Sequence, residues 1–484
     1  MRQLTRPLTS SLNTSNSYTY ESAIDALNNL QSNQTERRKI MSTPKSRSDM
    51  NFKLTQKYFK HLNFQSRINQ QKIKIIHLTG TKGKGSTAHY LDSYLRMSCN
   101  DVRTGLLTSP HVFSVRERIK INGENVCRNN FSEHFWEVYR NLEEYRHDQV
   151  NILPMPGYFA FLSLVSFSIF LEQKVNTIIL EVGIGGLYDS TNVIENCDFA
   201  VFTPIHLDHC EILGNSVEEI ARQKSGIIKN GSKVYSSGSQ KNSVLEILKE
   251  KSEECRGCEF FKVTGDSRSH PSEALPKIPK VLIDNGHLAM TVGEAFLKDH
   301  FKIDKKISKI KLLKNTPNLP GRCQKISKEK MNIYLDGAHT VDSLEVCLNW
   351  FEESTKQNTH RNHQKIVIFN LTGHRDHKTF LSMIDKCLSR SKNPRNKIIF
   401  SSNITKSTGY NPELSNKTTS IDNQIFKVIL HDQFWKSFST VESDSCKSIE
   451  EAFQLVEKEA VSGGNIDLLV TGSLHLVSGV LQLI

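Results

Sequence analysis

The sequence predicts an α/β protein with two lobes, each built on a mainly parallel β-sheet with helices between its strands. From residue 73 onward, short apolar runs alternate with helical patterns, which is typical of parallel strands joined by helices. A glycine-rich string at 80–87 stands between the first apolar run and the first helical pattern. Two prolines and a glycine within 316–321 then interrupt the pattern before a second strand series begins. This break predicts a domain boundary.

The first lobe is expected to carry its chemistry along one edge of its sheet. Open parallel sheets bind ligands beyond the carboxyl ends of their strands. Its predicted strands span residues 73–78, 102–107, 177–182, 199–204 and 233–236. The polar residues that follow four of these strands are the string at 80–87, Ser109-Pro110-His111, Glu181 and Asp208-His209.

The second lobe is predicted to be a smaller α/β domain. Its predicted elements are strands at 333–335, 366–369, 397–400 and 466–470 and a helix at 343–354. Residues 402–423 are polar and lack periodicity, which indicates a surface insertion. The predicted organisation is a disordered or transit-like segment at 1–17, a central domain at 18–315 and a C-terminal domain at 319–484.

Length, charge and cysteine content narrow the class of protein. The chain has 484 residues, 37% of them hydrophobic, which is enough for two or three domains with ordinary cores. The formal net charge of +12 suits nucleic acid, an anionic membrane surface or small polyanionic substrates, and charge alone does not choose among them. The ten scattered cysteines favour reduced thiols over a disulfide framework.

Three local features have simple interpretations. The pair Cys255 and Cys258 has no second CxxC or HxxxH to complete a zinc site, so an exposed loop is favoured. Residues 1–17 are rich in Ser and Thr and have no acidic residue, which resembles a mitochondrial transit segment or a plain disordered tail. The apolar run at 158–171 is too short to span a bilayer and is expected to be a buried helix.

The string at 80–87 has the composition of a phosphate-binding loop. Glycines let backbone N–H groups converge on phosphate oxygens, and the following helix offers the positive end of its dipole. Lys84 would neutralise the outer phosphates, and the Ser86 hydroxyl would reach a magnesium ion. A flexible turn is the alternative, but the flanking strand and helix favour a P-loop NTPase-like domain. The residues of the string are Gly80, Thr81, Lys82, Gly83, Lys84, Gly85, Ser86 and Thr87.

An ordered set of strings extends over residues 18–484, beginning with ALNNLQ at 26–31 and the phosphate-binding string. The later members are TSPH (108–111), VRERI (115–119), LEVGIGG (180–186) with Asp189 and TN (191–192), LDH (207–209), ILG (212–214), QKSGI (223–227), PGR (320–322), LDGAHT (335–340) and VTGSLHLV (470–477). Together they resemble the folylpolyglutamate synthases, the folate branch of the Mur ligase superfamily, in their eukaryotic form.

The resemblance implies an ATP-dependent ligase that adds L-glutamate to the γ-carboxyl of tetrahydrofolate and its polyglutamates. ATP phosphorylates the terminal carboxylate, and the amine of the incoming glutamate attacks the acyl phosphate. Phosphorylation is needed because a free carboxylate is a poor electrophile, and transfer of the phosphoryl group depends on positioning and charge neutralisation. The implied domains are a Mur ligase-like ATP-binding domain and a Rossmann-like glutamate ligase domain.

The resemblance also implies metal ligands and an unusual lysine. Ser86 and Glu181 are expected to hold Mg²⁺ beside the γ-phosphate and His209 a second ion, with water completing each shell. A solvated glutamate and a structural histidine are the alternatives. K⁺ is a further candidate cofactor. Lys224, on a predicted helix at 217–228, resembles a lysine that becomes carbamylated. The expected catalytic residues are Lys84, Lys224 and His209.

In the second lobe, Asp336 ends a predicted strand and His339 lies in the following turn. Similar residues in the family contact the base and ribose of the nucleotide, and Arg322 reaches its phosphates. An ordinary turn at Asp336-Gly337 is the alternative. ATP bound between two lobes favours the closed arrangement only by binding it more tightly. Closure would then exclude water from the acyl phosphate.

Two other regions carry weaker expectations. Ser109-Pro110-His111 is expected near the pterin and the metal, whereas Arg116 and Arg118 are either folate-tail contacts or structural. Around Gly286-His287 the family commonly has His-Gln, with an asparagine four residues after the histidine. Leu288 and Thr291 stand there instead, which weakens the expectation of adenine contacts from this helix.

Two alternatives remain open on the sequence. A dihydrofolate synthase, or a bifunctional enzyme, would use the same fold and the same acyl phosphate. A P-loop nucleic-acid-binding or nucleotide-regulated scaffold protein would explain the positive charge, although no nucleic-acid motif is recognisable. The expected partners are reduced folates and L-glutamate, with no nucleic acid and no membrane span. A monomer is expected in the cytoplasm, with the mitochondrial matrix as a second location.

Overall fold

A computed structural model describes residues 18–31, 44–150, 152–264, 278–316, 319–356, 363–371, 376–390, 393–406, 413 and 420–484. These residues form two lobes, each with one sheet and its own helices. The predicted segment 1–17 lies outside the described residues, as do 407–419 of the predicted insertion, Glu413 excepted.

The strands of the first lobe are β1 (Lys74–Thr79), β2 (Thr104–Leu107), β3 (Ile119–Ile121), β4 (Glu124–Asn125), β5 (Thr177–Glu181), β6 (Phe199–Phe202), β7 (Lys233–Ser237) and β8 (Glu259–Val263). They form one sheet of order β4-β3-β2-β5-β1-β6-β7-β8, in which the β2-β3 and β3-β4 pairs are antiparallel. Because β5 and β6 flank β1, the strand that leads into the phosphate-binding string lies in the interior of the sheet.

The helices of the first lobe are α1 (Tyr20–Asn29), α2 (Pro44–His61), α3 (Phe64–Gln70), α4 (Lys84–Ser98), α5 (Arg128–His147), α6 (Tyr158–Glu172), α7 (Cys210–Leu213), α8 (Val217–Ser225), α9 (Asn242–Glu254), α10 (Lys280–Phe301) and α11 (Lys309–Asn315). Short 3₁₀ turns span Val115–Arg118 and Ser190–Val193. The helices cover both faces of the sheet, because alternate strand residues such as Ile75 and Ile76 point into separate cores. The buried helix predicted at 158–171 is confirmed as α6.

The second lobe has the strands β9 (Gln324–Lys328), β10 (Met331–Asp336), β11 (Gln364–Phe369), β12 (Lys397–Ser401), β13 (Glu442–Cys446) and β14 (Ile466–Thr471). Its helices are α12 (Val341–Thr355), α13 (His377–Arg390), α14 (Ile421–Lys436), α15 (Ile449–Gly463) and α16 (Leu474–Leu481). The sheet order is β13-β12-β11-β14-β10-β9, and only the β9-β10 pair in this described sheet is antiparallel. No described helix in either lobe has the length and apolar character needed to cross a membrane.

The strands predicted from apolar runs are confirmed, and those that were missed lie at or next to sheet edges. β8, β9 and β13 are edge strands with half-buried or exposed side chains, so they carry no apolar run. The strand predicted at 199–204 ends early, at Phe202, because Pro204 has no N–H for strand pairing. The helix predicted at 217–228 ends at Ser225.

Two predictions about loops need correction or refinement. Ser402 and Asn403 are buried, so the polar stretch that begins there is not wholly a surface insertion. Cys255 and Cys258 flank a turn between α9 and β8, half-buried, and each thiol lies against a backbone carbonyl. The domain division between residues 315 and 319 remains our proposal; α11 ends at Asn315, and the second sheet begins after it.

Candidate active site

The glycine-rich string joins β1 to α4. Gly80 has a φ of +150° and Gly83 a φ of +84°. A Cβ on Gly80 would lie 1.9 Å from Thr203 Oγ1, and a Cβ on Gly83 would lie 2.5 Å from Asn285 Oδ1. Glycine is therefore required at both positions by backbone conformation and by close contact.

The first turn of α4 presents the polar groups of the string. The Lys84 ammonium donates to the carbonyl oxygens of Gly80 (3.2 Å) and Thr81 (3.5 Å), so it lies over the loop itself. Ser86 and Thr87 are buried in the same turn. The unpaired N–H groups and the dipole at the start of a helix favour an anion at this position.

Glu181 lies at the end of β5 and is only 3% exposed. Its Oε2 accepts a hydrogen bond of 2.8 Å from the Ser109 N–H, and a Cβ on Gly85 would lie 3.4 Å from the same oxygen. Burial raises the pKa of Glu181, and the charge of Lys84 opposes that rise. The carboxylate thus faces the start of α4 and its positive charge.

Lys224 reaches the same loop from α8. Its side chain is nearly enclosed, and its Nζ donates to the Gly80 carbonyl over 2.7 Å. Burial lowers the pKa of Lys224 well below the ordinary value, and the nearby Lys84 ammonium lowers it further. A neutral amine is therefore favoured far more here than on an exposed lysine.

His209 follows β6 and immediately precedes the short helix α7. Its backbone has a φ of +51°, a left-handed conformation that is uncommon for a residue with a side chain. Burial lowers the pKa of His209, while Asp208, 3.9 Å from its Nε2, acts in the opposite direction. Lys84 and Lys224 also lower this pKa, so the imidazole lies within electrostatic reach of both lysines.

The donor set fits Mg²⁺ better than a transition metal. Ser86 and Glu181 offer hard oxygen atoms beside a phosphate-binding loop, and His209 adds one imidazole. Within the described part of the chain, no group of three or more His, Cys, Asp or Glu side chains is arranged to hold an ion. Mg²⁺ is usually bound by one or two protein ligands together with phosphate and water, which is what these residues allow.

In the second lobe, Asp336 ends β10 and is buried. Its Oδ2 accepts hydrogen bonds from the N–H (2.8 Å) and the thiol (3.3 Å) of Cys323. His339 follows in the turn, and its Nδ1 donates to the Gly337 carbonyl over 2.9 Å. Burial raises the pKa of Asp336, and the charge of Arg322 opposes the rise.

Arg322 connects the two halves of the site. Its charge also opposes the rise in the pKa of Glu181, so the guanidinium acts electrostatically on a carboxylate of each lobe. Beside it, a cavity of about 190 Å³ opens between the lobes. Its mostly apolar and aromatic walls suit a flat ring. The cavity is lined by Tyr90, Leu282, Leu313, Arg322, Cys323 and Trp350, among others.

A second connection between the lobes is made by charged groups. Lys82 Nζ lies 3.2 Å from Asp342 Oδ2, at the start of α12, and His206 Nδ1 lies 3.8 Å from the same oxygen. The glycine-rich loop and the segment after β6 are therefore both in contact with the start of α12 in the second lobe.

The loop after β2 also reaches the second lobe. The Ser109-Pro110 peptide bond is cis. His111 accepts a hydrogen bond of 2.8 Å from Arg118 Nε and donates from Nε2 to the Glu413 carbonyl. Arg118 lies over the Tyr158 ring as well.

Arg116 has similar partners. It donates to the Val126 carbonyl over 3.2 Å and lies over the Tyr20 ring. Both arginines thus have internal contacts, as their structural interpretation requires.

Asn285 is a residue of the site that sequence reasoning missed. It lies on α10 and is buried against Gly83, so this helix reaches the phosphate-binding loop after all. His287, in contrast, points towards the Thr264 carbonyl. The signal in the sequence is an asparagine on the buried face of an amphipathic helix, where the other buried residues are apolar or glycine.

A glycine-rich loop between a strand and a helix of a mainly parallel sheet, with the buried Glu181 beside it and a second α/β lobe in contact with it, is typical of a nucleotide-dependent α/β enzyme. The chain is 33% identical over 490 residues to a folylpolyglutamate synthase of Saccharomyces cerevisiae, covering 96% of this chain and 86% of the relative. A family profile described as "Dihydrofolate synthetase, C-terminal domain" matches residues 319–483. This chain belongs to the folylpolyglutamate synthase family.

Solved structures share the fold. The Mycobacterium tuberculosis folylpolyglutamate synthase complexed with ADP has a TM-score of 0.70 at 20% identity, covering 96% of this chain and 98% of that one. The bifunctional folylpolyglutamate synthase/dihydrofolate synthase of Yersinia pestis, complexed with AMPPNP and Mn ion, has a TM-score of 0.64 at 21% identity, covering 89% and 92%.

Proposed function

We propose that this chain is an ATP-dependent ligase that adds L-glutamate to the γ-carboxyl of tetrahydrofolate and its polyglutamates. Its membership of the folylpolyglutamate synthase family supports this function. The observation that supports it most is the contact of the second lobe with the glycine-rich loop, where Lys82 Nζ lies 3.2 Å from Asp342 Oδ2. The charge of Arg322 also acts on Glu181 of one lobe and Asp336 of the other. A nucleotide at the loop and an acceptor from the second lobe would meet in this cleft.

The chemistry requires activation of a carboxylate. An oxygen of the folate γ-carboxylate attacks the γ-phosphorus of ATP, the bond to the β-phosphate oxygen breaks, and ADP leaves. The amine of L-glutamate then attacks the acyl carbon, loses a proton, and inorganic phosphate departs with the electrons of the broken C–O bond. Lys84 would offset the negative charge on the transferring group, as phosphoryl transfer demands.

The loop residues and the second lobe would share the nucleotide. The string from Gly80 to Thr87 would bind the phosphates, with Arg322 approaching them from the second lobe. Asp336 and His339 would contact the ribose and base next to the cavity. Because both lobes would contact ATP, the closed arrangement would bind ATP more tightly than the open one. Closure would in turn exclude water from the acyl phosphate.

Two Mg²⁺ positions follow from the donor set. Ser86 and Glu181 would hold one ion and His209 the other, with K⁺ as a further candidate cofactor. Bound Mg²⁺ supplies charge neutralisation and orientation of the phosphates. The position of Glu181 is held by the Ser109 N–H, so this ligand is oriented before any ion arrives.

Lys224 has the properties expected of a carbamylated lysine. Carbamylation needs a neutral amine, which attacks CO₂ and releases a proton, and burial favours the neutral form at this position. The product would replace a buried neutral amine with a carboxylate-like group near Lys84. Together, Lys84, Lys224 and His209 are the catalytic residues we propose.

The Lys84→Ala variant tests the assignment. We expect ligation to fall by about 10²-fold or more, because a charge aimed at the transferring phosphoryl group is removed. A folate-dependent assay with ATP and labelled glutamate measures the rate, and thermal unfolding verifies the fold. Lys74→Ala is the matched control, since Lys74 begins the same β1 and pairs with Asp198 at the far end of the strand. Near-normal turnover by Lys84→Ala would contradict the assignment.

A dihydrofolate synthase, or a bifunctional enzyme, is the second candidate. It is favoured by the family profile, which carries the description of a dihydrofolate synthetase. Parallel assays with dihydropteroate and with tetrahydrofolate separate the two, and mass spectrometry of the products gives the tail length. Product from dihydropteroate alone would reject the preferred substrate.

We also propose that the enzyme acts as a monomer in the cytoplasm and the mitochondrial matrix, without nucleic acid as a partner. Light scattering of the purified chain tests the first point, and imaging of the tagged full chain tests the second. Salt-sensitive RNA or DNA binding by the full chain would instead revive a nucleic-acid-binding role.

A further inference from the structure

The first half of the phosphate-binding loop is paired with the chain that follows β6. The Thr81 and Lys82 N–H groups both donate to the Pro204 carbonyl, over 2.9 and 3.3 Å. The Thr81 hydroxyl donates to the His206 carbonyl over 3.0 Å. Two backbone donors of the loop are thus used internally, and the segment 203–206 determines how the loop is shaped.

The contact is also tight at Gly80. A Cβ there would collide with Thr203 Oγ1, and the Thr203 N–H donates to the Thr79 carbonyl over 2.9 Å. A displacement of the segment 203–206 would therefore move the loop, because the two segments are packed without free space between Gly80 and Thr203.

Gln240 holds that segment from the other side. Its Oε1 accepts a hydrogen bond of 2.9 Å from the Ile205 N–H, and its Nε2 donates to the Thr203 carbonyl over 2.9 Å. The two bonds bracket Pro204, which lacks an N–H, where β6 has already ended. The side chain is 8% exposed and comes from the chain between β7 and α9. One amide group thus replaces the strand pairing that proline interrupts.

We propose that Gln240 is a positioning residue for nucleotide binding: it fixes the segment 203–206, which in turn shapes the phosphate-binding loop. The proposal rests on the proposed function only in assigning a nucleotide to the loop. Gln240 does not approach the loop directly in any described contact, so it acts through Thr203, Pro204 and Ile205. A buried backbone group that loses its partner is strongly unfavourable, so the segment is expected to shift when the amide is removed.

The test compares Gln240→Met, which keeps the side-chain volume and removes both hydrogen bonds, with Gln240→Asn, whose shorter amide cannot span both. Gln364→Met is the matched control. Gln364 is also buried and donates to a backbone carbonyl, that of Arg395, but it begins β11 in the second lobe. Calorimetry measures the Kd for MgADP, and the ligation assay measures the KM for MgATP and for folate.

For Gln240→Met we expect the Kd for MgADP and the KM for MgATP to rise about tenfold, equivalent to ~1.4 kcal/mol of binding. The KM for folate and the values of the control are expected to change less than about twofold. Gln240→Asn is expected to show a smaller rise in the same two constants, and it provides the test if Gln240→Met does not fold. A residue with a merely structural role would not weaken nucleotide binding while leaving the KM for folate unchanged.

Unchanged nucleotide constants in both Gln240 variants would overturn the inference, as would an equal loss of folate and nucleotide affinity or a loss of the same size in the control. Failure of the proposed function is recognised separately, because the unaltered chain would then bind MgADP without forming a glutamylated product.

Discussion

Two buried lysines illustrate how the two lobes differ. Lys224 and Lys397 are 4% and 9% exposed, so water solvates neither of them well. Lys224 Nζ donates to a backbone carbonyl, whereas Lys397 Nζ lies 3.1 to 3.3 Å from three carboxylates. The carboxylates belong to Glu442, Asp444 and Glu459.

The pKa of each lysine follows from its partners. Burial lowers the pKa of Lys224 well below the ordinary value, and Lys84 adds to the effect. Burial acts in the same direction on Lys397, but Asp444, Glu459 and Glu442 more than compensate and raise its pKa. Similar burial therefore favours a neutral amine in one lobe and a paired ammonium in the other.

The difference between the two lysines corresponds to their positions relative to the strand ends of each sheet. Lys224 lies beyond the carboxyl ends of the first sheet, where ligands bind in parallel α/β folds. Lys397 is the first residue of β12, at the opposite end of the second sheet. The buried amine that donates to a backbone carbonyl thus lies at the ligand-binding edge of its sheet, and the one paired with three carboxylates lies away from that edge.

The strongest test of this contrast replaces each lysine with methionine. In Lys224→Met we expect ligation to fall about 10²- to 10³-fold, because the site loses a group that acts on the transferring charge. The melting temperature should stay equal or rise, since a desolvated amine is removed. Turnover with saturating substrates and thermal unfolding are the measurements. Near-normal turnover by the Lys224→Met enzyme would contradict the proposed catalytic role of Lys224.

Lys397→Met should show the reverse pattern. We expect the free energy of unfolding to fall by about 1–3 kcal/mol. The loss should be smaller than for a fully buried ion pair, because water can solvate the carboxylates that lose their lysine partner. Glu442, for example, is 65% exposed. Ligation should remain within about twofold of the original value, because nothing at the cleft changes. Denaturant unfolding measures the free energy of unfolding, and the ligation assay measures the turnover. Loss of activity without loss of stability would contradict the structural role.

The two lysines should also differ in how they change the free energy of unfolding with pH, which is a smaller effect than those of the substitutions above. Between the lowered pKa of folded Lys224 and the ordinary lysine value of about 10.4, the unfolded chain binds the additional proton. Lys224 therefore makes the free energy of unfolding rise with pH in that window. Folded Lys397 holds its proton more tightly, so its contribution is intact below about 10.4 and is lost only above it.

We expect Lys224→Met to lose a slope of up to about 1.4 kcal/mol per pH unit between pH values of about 8 and 10. Lys397→Met should keep the slope of the original chain in the same interval. Urea unfolding at several pH values, in buffer free of bicarbonate, measures the slopes. Parallel curves for all three proteins would mean that Lys224 titrates like an exposed lysine.

The interior of each sheet was predictable from the sequence, and its edges were not. β1 and β5 are enclosed on both faces and therefore appear as apolar runs. β8 and β13 have one side open to solvent, so their residues resemble those of loops. Edge strands are identified by the neighbour they pair with, which the local sequence does not contain.

The candidate site divides in a similar way. Gly80 and Gly83 were predictable, because the loop requires backbone conformations that glycine adopts most easily. Asn285 and Gln240 were not, although both support the same loop. Gln240 reaches Ile205 across 35 positions of sequence, and an isolated glutamine has no pattern that indicates such a contact.

The sequence alone determined the two α/β lobes, the phosphate-binding loop and the family to which the motifs point, since periodicity and glycine content follow from local backbone geometry. Tertiary structure decided which buried lysine is paired with carboxylates, which asparagine and glutamine support the loop, and that the charge of Arg322 acts on a carboxylate of each lobe. These properties depend on the local dielectric and on partners from distant segments, and only the folded chain brings those together.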